Sequence, residues 1–310
     1  MKNEEKGVLV GTDKNQEWLL PWWYFHYSAT NTFPITFGNF GMSKKALAWC
    51  EKRGSVLEAP SSDFVTKKEI ISSDLRKKWD QNRAATPFWK SRPAWFLKPL
   101  LMQQSPYQQT LYLDLDCQVY QNLNPIFDFS NNPGGFSIAQ DPIVCFPQSK
   151  NFVFPPNITR YNSGVIVYQK NSPLIEKWAS YCLEKNHLFP GDQDVLEYIL
   201  STEDFHHFSE LPILYNWSTY FTQTLTHIFQ HFPFPSLSDL IQHISLSDLP
   251  SFSFDLLKYQ ELLQKELSLD NIPLDPKELP ISICHWHGRG KENIRNSIEF
   301  LKILSAYDSF

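Results

Sequence analysis

The densest chemical signal is the segment Leu-Tyr-Leu-Asp-Leu-Asp at residues 111–116. Residues two apart in an extended strand point the same way, so Asp114 and Asp116 would place two carboxylates beside one point in space. Two like charges that close are costly unless a cation lies between them. Such a triplet is by itself typical of surface turns and caps as well, but the apolar residues before Asp114 indicate a buried strand. Asp114 and Asp116 are therefore candidate ligands of a divalent cation.

A second segment, His-Trp-His-Gly-Arg-Gly-Lys, spans residues 285–291. The imidazole of His285 can complete a carboxylate-bound cation, glycines such as Gly288 let backbone N–H groups approach phosphate oxygens, and Lys291 supplies a point charge. A lone histidine would more often be structural. Histidine, glycines and lysine within seven residues make a phosphate and metal site as plausible as a purely structural role.

Two further segments fit a sugar site, Tyr-Asn-Ser-Gly-Val-Ile-Val at residues 161–167 and Pro-Gly-Asp-Gln-Asp at residues 190–194. Sugar hydroxyls need short, directional donors and acceptors, which Asn, Asp and Gln side chains provide. Each segment taken alone is equally consistent with a turn or a helix cap, and Asp192 could simply cap the helix that begins near Gln193.

These segments need a scaffold that holds them together, and the sequence predicts an α/β sheet. Apolar runs that end in turn or acidic residues predict buried strands at 8–10, 33–40, 110–113, 135–139 and 165–168. Helices are predicted from Lys44 to Cys50 with Ser43 as N-cap, from Trp95 to Gln104, and from Pro173 to His187 with apolar residues at helical spacing. Strands that alternate with helices favour parallel crossovers, with loops for a ligand at the strand ends.

Composition excludes several classes of protein. The 310 residues carry a formal net charge of -5 and no dense basic block, which argues against nucleic-acid binding. Five cysteines without CxxC spacing indicate free thiols in a reducing compartment. The charged start, without a long apolar run, makes a signal peptide unexpected. We expect a cytoplasmic protein and leave open a peripheral contact with a membrane.

The region after residue 210 has a different character. Leu211 to Ser238 contains no Asp, Glu, Lys or Arg, but its polar residues and prolines are too frequent for a spanning helix, so we expect it to be buried or interfacial. Residues 219–280 combine short apolar pieces, several prolines and a charged helical stretch. They are interpreted as a helical insert or lid within a single domain that spans residues 1–310.

In order and spacing these motifs resemble the GT-A glycosyltransferases, most closely the retaining family of glycogenin-like and bacterial lipooligosaccharide galactosyltransferases, glycosyltransferase family 8. The resemblance runs over most of residues 8–292 and includes Leu211-Pro212 and Tyr215-Asn216-Trp217. It implies a GT-A, Rossmann-like open mixed sheet flanked by helices, with a helical C-terminal insert.

Carried over position by position, the resemblance assigns roles to individual residues. It implies that Asp114, Asp116 and His285 bind manganese, or magnesium in its place, and that Gly288 and Lys291 bind the diphosphate. It implies that Thr12 and Asp13 in the first loop meet the nucleoside. It also implies that Asp141, Asn162, Asp192 and Gln193 line the donor sugar, with Gln193 facing the reacting carbon and Asp192 beside it as the second residue of the catalytic pair.

The function that follows is transfer of a hexose from a UDP-sugar to a hydroxyl of a glycan, lipid or protein acceptor, with retention by family resemblance alone. Two alternatives stay open. A sugar-phosphate nucleotidyltransferase would favour a Gly-rich, Arg-containing loop after the first strand, where this chain has Gly-Thr-Asp-Lys-Asn at residues 11–15. A non-catalytic sugar-binding protein could keep the fold without turnover.

Overall fold

The structure is a computed structural model that describes residues 5–82, 88–141, 159–202, 207–222, 256–268, 279–286 and 290–306. Its strands are β1 (Lys6–Thr12), β2 (Ile35–Asn39), β3 (Ser55–Glu58), β4 (Gln109–Leu113), β5 (Cys117–Val119), β6 (Phe136–Gln140), β7 (Tyr161–Gln169), β8 (Ser209–Leu211), β9 (Trp217–Ser218) and β10 (Ile283–His285). Its α-helices are α1 (Leu20–Thr30), α2 (Lys44–Glu51), α3 (Ser73–Asn82), α4 (Phe88–Met102), α5 (Pro173–Lys185), α6 (Asp192–Thr202), α7 (Leu256–Leu267), α8 (Gly290–Arg295) and α9 (Ile298–Ala306).

Seven strands form one mixed sheet in the order β3-β2-β1-β4-β7-β6-β8. Strand β1 is parallel to β2 and β4, whereas β7 runs antiparallel to both β4 and β6. Parallel strands end at the same edge of a sheet, and an antiparallel neighbour begins there. The loop after β1, the acidic end of β4 and the start of β7 therefore share one edge.

The central strands are buried on both faces, because helices cover both sides of the sheet. Successive side chains of each strand point to opposite sides and so enter two different cores. Val8, Val10 and Leu111 belong to a core on the face that α1 covers, while Leu9 and Tyr112 belong to a second core on the face that α4, α5 and α6 cover. The sheet is thus a rigid layer between two cores, and the side chains at its edge are held by strands that cannot shift alone.

A second, three-stranded sheet brings the C-terminal part of the chain to this edge. Strand β10 pairs antiparallel with β5 and parallel with β9. The partner of His285 across the β5 ladder is Cys117, which directly follows Asp116. The pairing therefore places the histidine beside the acidic segment although about 170 residues separate them in sequence.

The predicted α/β class and mixed sheet are confirmed, and so is the α2 helix with Ser43 as its N-cap, whose hydroxyl accepts a hydrogen bond from the Ala46 N–H at 3.2 Å. The fourth helix begins at Phe88, seven residues before the predicted start at Trp95. The sequence did not predict α1. Its Trp22, Trp23 and Tyr27 are at most 1% exposed. Apolar and aromatic residues follow one another without interruption from Leu20 to Phe25, so the segment lacks the one-sided periodicity by which helices are recognised.

Four cysteines are buried free thiols, as predicted, and Cys145 lies outside the described residues. Residues 211–222, the described part of the uncharged region, are largely buried. Within residues 219–280 the structure describes 219–222, 256–268 and 279–280, so the insert or lid stays a prediction. No helix among the described residues is long and apolar enough to cross a membrane.

Candidate functional site

Asp114, Asp116 and His285 meet at the carboxyl end of β4. His285 Nε2 lies 3.4 Å from Asp116 Oδ1 and 4.0 Å from Asp114 Oδ2. One ligand atom from each of the three residues falls within 4.8 Å of the others, as a shared cation requires. Carboxylate oxygens with one imidazole nitrogen are a donor set that suits manganese. The residues present therefore fit a divalent cation.

Lys291, near the start of α8, contacts this cluster through Asp116. Its Nζ lies 3.0 Å from Asp116 Oδ2 and 3.0 Å from Gln16 Oε1 in the loop after β1. Burial raises the pKa of the Asp116 carboxyl, but the positive charge of Lys291 opposes burial, and that pKa lies below its ordinary value. Asp116 is therefore a carboxylate at neutral pH. Gly288, predicted to act with Lys291, lies outside the described residues.

Lys98 on α4 connects the metal cluster to the predicted donor-sugar residues. Its Nζ lies 3.3 Å from Asp114 Oδ1, 3.3 Å from Asp192 Oδ2 and 3.1 Å from Ser163 Oγ. Burial would lower the pKa of Lys98, but the two carboxylates outweigh it, so the pKa is raised and the side chain is an ammonium ion. Sequence reasoning missed this residue, since a single lysine within a helix has the ordinary appearance of a solvated side chain.

The predicted donor-sugar residues lie directly after β6, on β7 and at the start of α6. Gln193 Oε1 accepts a hydrogen bond from the Ser163 N–H at 3.2 Å, and Asn162 Nδ2 donates to Asp141 Oδ2 at 3.4 Å. Asp192, at the first position of α6, is 5% exposed. Asp141 therefore contacts Asn162, while Asp192 and Gln193 both contact the next residue of β7, Ser163.

A buried ion pair, also missed from the sequence, supports Gln193. Glu197 lies one helical turn further along α6, and its Oε1 accepts a hydrogen bond from Gln193 Nε2 at 3.3 Å. Arg160 donates to both carboxylate oxygens of Glu197, at 3.1 and 2.9 Å. Burial raises the pKa of Glu197 to about 7, against the lowering effect of Arg160. Arginine and glutamate far apart in sequence give no local pattern from which this contact is readable.

The first loop, with Thr12 and Asp13, reaches the site through its neighbour Gln16. Asp13 Oδ1 accepts hydrogen bonds from the backbone N–H groups of Asn15 and Gln16 at 2.9 and 3.1 Å, which shapes a tight turn. Gln16 in turn contacts Lys291. The loop is therefore linked to the predicted diphosphate residue, and its role toward a nucleoside remains a prediction.

Comparisons with known proteins address the fold. No family model and no curated protein sequence matches the chain. Among solved structures, the galactosyltransferase LgtC in complex with donor and acceptor sugar analogues is similar, with a TM-score of 0.52 and 13% identity over 98% of this chain and 97% of that chain. The bifunctional glycosyltransferase WbbM is also similar, with a TM-score of 0.52 and 13% identity. That match spans 100% of this chain and 52% of the WbbM chain. The chain therefore has the GT-A glycosyltransferase fold.

Proposed function

We propose that this protein is a metal-dependent glycosyltransferase that moves a hexose from a UDP-sugar to an acceptor hydroxyl. The observation that carries the proposal is the convergence of Asp114, Asp116 and His285 within 4.8 Å, at the strand edge where α/β sheets bind their ligands. The GT-A fold supports the same conclusion, since the similar structures are glycosyltransferases.

The cluster of Asp114, Asp116 and His285 would hold manganese or magnesium. When bound, the cation offsets the charge that develops on the departing nucleoside diphosphate. Lys291 adds a second positive charge on the same side, and its contact with Gln16 points its ammonium group toward the first loop. We assign Lys291 and Gly288 to the diphosphate, and Thr12 and Asp13 to the nucleoside.

The donor hexose would lie against Asp141, Asn162, Asp192 and Gln193, whose amides and carboxylates can hydrogen-bond sugar hydroxyls. Lys98 holds Asp192 in place through its 3.3 Å contact. In the reaction, the bond between the anomeric carbon and the phosphate oxygen breaks and a bond from the acceptor oxygen to that carbon forms. The acceptor proton passes to an oxygen of the departing phosphate. We assign Gln193 to the side of the reacting carbon as a bystander, and attack from the face that the phosphate leaves would give retention.

The alternatives differ in what they require of this site. A nucleotidyltransferase would use a Gly-rich, Arg-containing first loop, and the loop of this chain instead forms a tight turn around Asp13. A non-catalytic sugar-binding protein would bind the donor without turnover. An assay of donor cleavage distinguishes the proposed glycosyltransferase from a sugar-binding protein without activity.

The test is release of UDP from a panel of UDP-sugars, without acceptor, in manganese and in a chelator. We expect one donor to be hydrolysed only with metal, and Asp116→Asn to lower that rate about 10²-fold or more, because a charged ligand is lost. Asp128→Asn, which changes an exposed carboxylate, serves as the matched control and should leave the rate unchanged. Near-normal turnover in Asp116→Asn would remove the acidic pair from the mechanism.

A further inference from the structure

His285 presents its two ring nitrogens to different partners. Nε2 faces the carboxylates of Asp114 and Asp116, whereas Nδ1 lies 3.0 Å from Oδ1 of Asn216. A neutral imidazole has one donor and one acceptor nitrogen, and only the nitrogen without a proton can bind a metal. The function of His285 therefore depends on which nitrogen carries the proton.

The orientation of a neighbouring amide can be settled from backbone polarity. The Gly164 N–H can only donate, and it lies 2.9 Å from one end of the Asn162 amide, which must therefore be the oxygen. The other end of that amide lies 3.4 Å from the carboxylate of Asp141, which accepts, and so must be the nitrogen. Two independent partners thus fix Asn162 in one orientation.

The same logic passes to Asn216, which is 8% exposed. One end of its amide lies 3.0 Å from the Asn162 oxygen, and because that oxygen only accepts, the contacting atom must be the Asn216 nitrogen. The Asn216 oxygen then faces Nδ1 of His285 and accepts a hydrogen bond from the Nδ1–H group. In the neutral imidazole, Nε2 then keeps its lone pair, and this nitrogen faces the two aspartates.

Packing against β7 restricts the plane of the His285 imidazole. The imidazole of His285 lies against the backbone of β7 at Gly164, where a methyl group in place of the glycine hydrogen would overlap the ring atoms Cε1 and Nδ1. A glycine at this position lets the ring approach the strand. A 180° rotation of the ring would put the carbon Cδ2 where Nδ1 now lies, and the hydrogen bond with Asn216 would be lost.

We propose that Asn216 is a positioning residue that holds His285 with Nδ1 protonated and Nε2 available as a metal ligand, and that Asn162 sets the orientation of Asn216. The inference rests on the proposed metal site. It gives Asn162 a second role, because the residue assigned to the donor sugar also orients the histidine through one intervening amide. Partners of this kind typically change metal affinity 10- to 100-fold when they are lost.

The test uses binding of manganese to the purified full chain, followed by electron paramagnetic resonance of the free ion. Asn216→Leu removes the acceptor for Nδ1–H and should weaken manganese binding 10- to 100-fold. Asn216→Asp also loses the donor to Asn162 but keeps an acceptor for Nδ1–H, so it should bind manganese at least as well as the wild type. The difference between the two variants isolates the contact with His285.

A double variant separates positioning from a structural effect. If Asn216 acts through His285, Asn216→Leu should have no further effect on manganese affinity in a His285→Ala background. Thermal melting of each variant establishes that it is folded, and Asn216→Ala replaces the leucine variant if the latter does not fold. Equal manganese affinity in wild type and Asn216→Leu, or equal losses in the leucine and aspartate variants, would overturn the inference.

The outcome is distinguishable from failure of the proposed function. A wild-type chain that binds no manganese would overturn the metal site and this inference together. A wild-type chain that binds manganese through His285 but cleaves no UDP-sugar would overturn the proposed activity, while the variant series would still decide the role of Asn216.

Discussion

At the scale of single residues, Lys98 shows how the site balances charge. Its side chain is 7% exposed and is shared by Asp114 from the end of β4 and Asp192 from the start of α6. A buried ion pair contributes little net stability, because the attraction mainly offsets the cost of removing both charges from water. Removal of one partner is strongly destabilising, because the remaining charge is left buried without compensation.

We therefore expect Lys98→Met to lower the free energy of unfolding by about 3–5 kcal/mol, measured by urea denaturation at pH 7. The double variant Lys98→Met/Asp192→Asn removes the uncompensated charge and should recover much of this loss. Lys45→Met, at an exposed lysine of α2, is the matched control and should change stability little. A Lys98→Met protein as stable as the control would show that Asp192 is not buried against this lysine.

The residues that sequence analysis identified are those whose chemistry is visible over a few positions. Asp114 and Asp116 stand two apart after an apolar run, and His285 and Lys291 lie within seven residues. Lys98 and the Arg160–Glu197 pair act through partners far away in sequence, so no local spacing marks them.

At the scale of elements, α1 is held to the site by a network that needs a neutral His26. The indole N–H of Trp286 and the hydroxyl of Tyr120 both donate to Oε1 of Gln118, so Nε2 of Gln118 points at the ring of His26, 3.2 Å away. Protonation of His26 would place an N–H against this N–H. Burial lowers the pKa of His26 to about 4, although the half-exposed carboxylate of Glu299 lies 3.8 Å away.

This shift predicts how stability depends on pH. The unfolded chain protonates His26 near its ordinary pKa of 6.5, whereas the folded chain does so only near 4, so stability falls as the pH is lowered through this window. The contribution is about 3 kcal/mol, from about 1.4 kcal/mol per pKa unit. In urea denaturation at pH 7 and pH 4, His26→Gln should lose less stability than the wild type by about this amount. Equal losses in both proteins would show that His26 titrates normally when folded.

Sequence patterns predicted the elements unevenly. The predicted strands correspond to β1, β2, β4, β6 and β7 of the large sheet, and the predicted order of strands and helices led to the correct fold class. The edge strands β3 and β8 were not predicted, because they are short and contain charged or polar residues. The three-stranded sheet of β5, β9 and β10 was not predicted, because strands of two or three residues are too short to carry a periodicity. That small sheet is what brings His285 to Asp116.

At the scale of the whole molecule, the site exists because two sheets share one edge. The large sheet supplies the ends of β1 and β4 and the start of β7, while the small sheet returns residues 283–286 to the same place. Two lysines that are far apart in sequence, Lys98 and Lys291, contact Asp114 and Asp116 respectively. Under the proposed function, a nucleoside diphosphate and a cation meet here and bind as a unit.

Calorimetric titration of UDP into the wild-type chain, at saturating and at zero manganese, tests this requirement most directly. We predict that manganese raises the affinity for UDP and that UDP raises the affinity for manganese by the same factor, because binding linkage is reciprocal. UMP, which lacks the second phosphate, should show weaker coupling and serves as the control ligand. Equal affinity for UDP with and without manganese would contradict the proposed function, because it would show that the acidic cluster and the diphosphate site are not coupled.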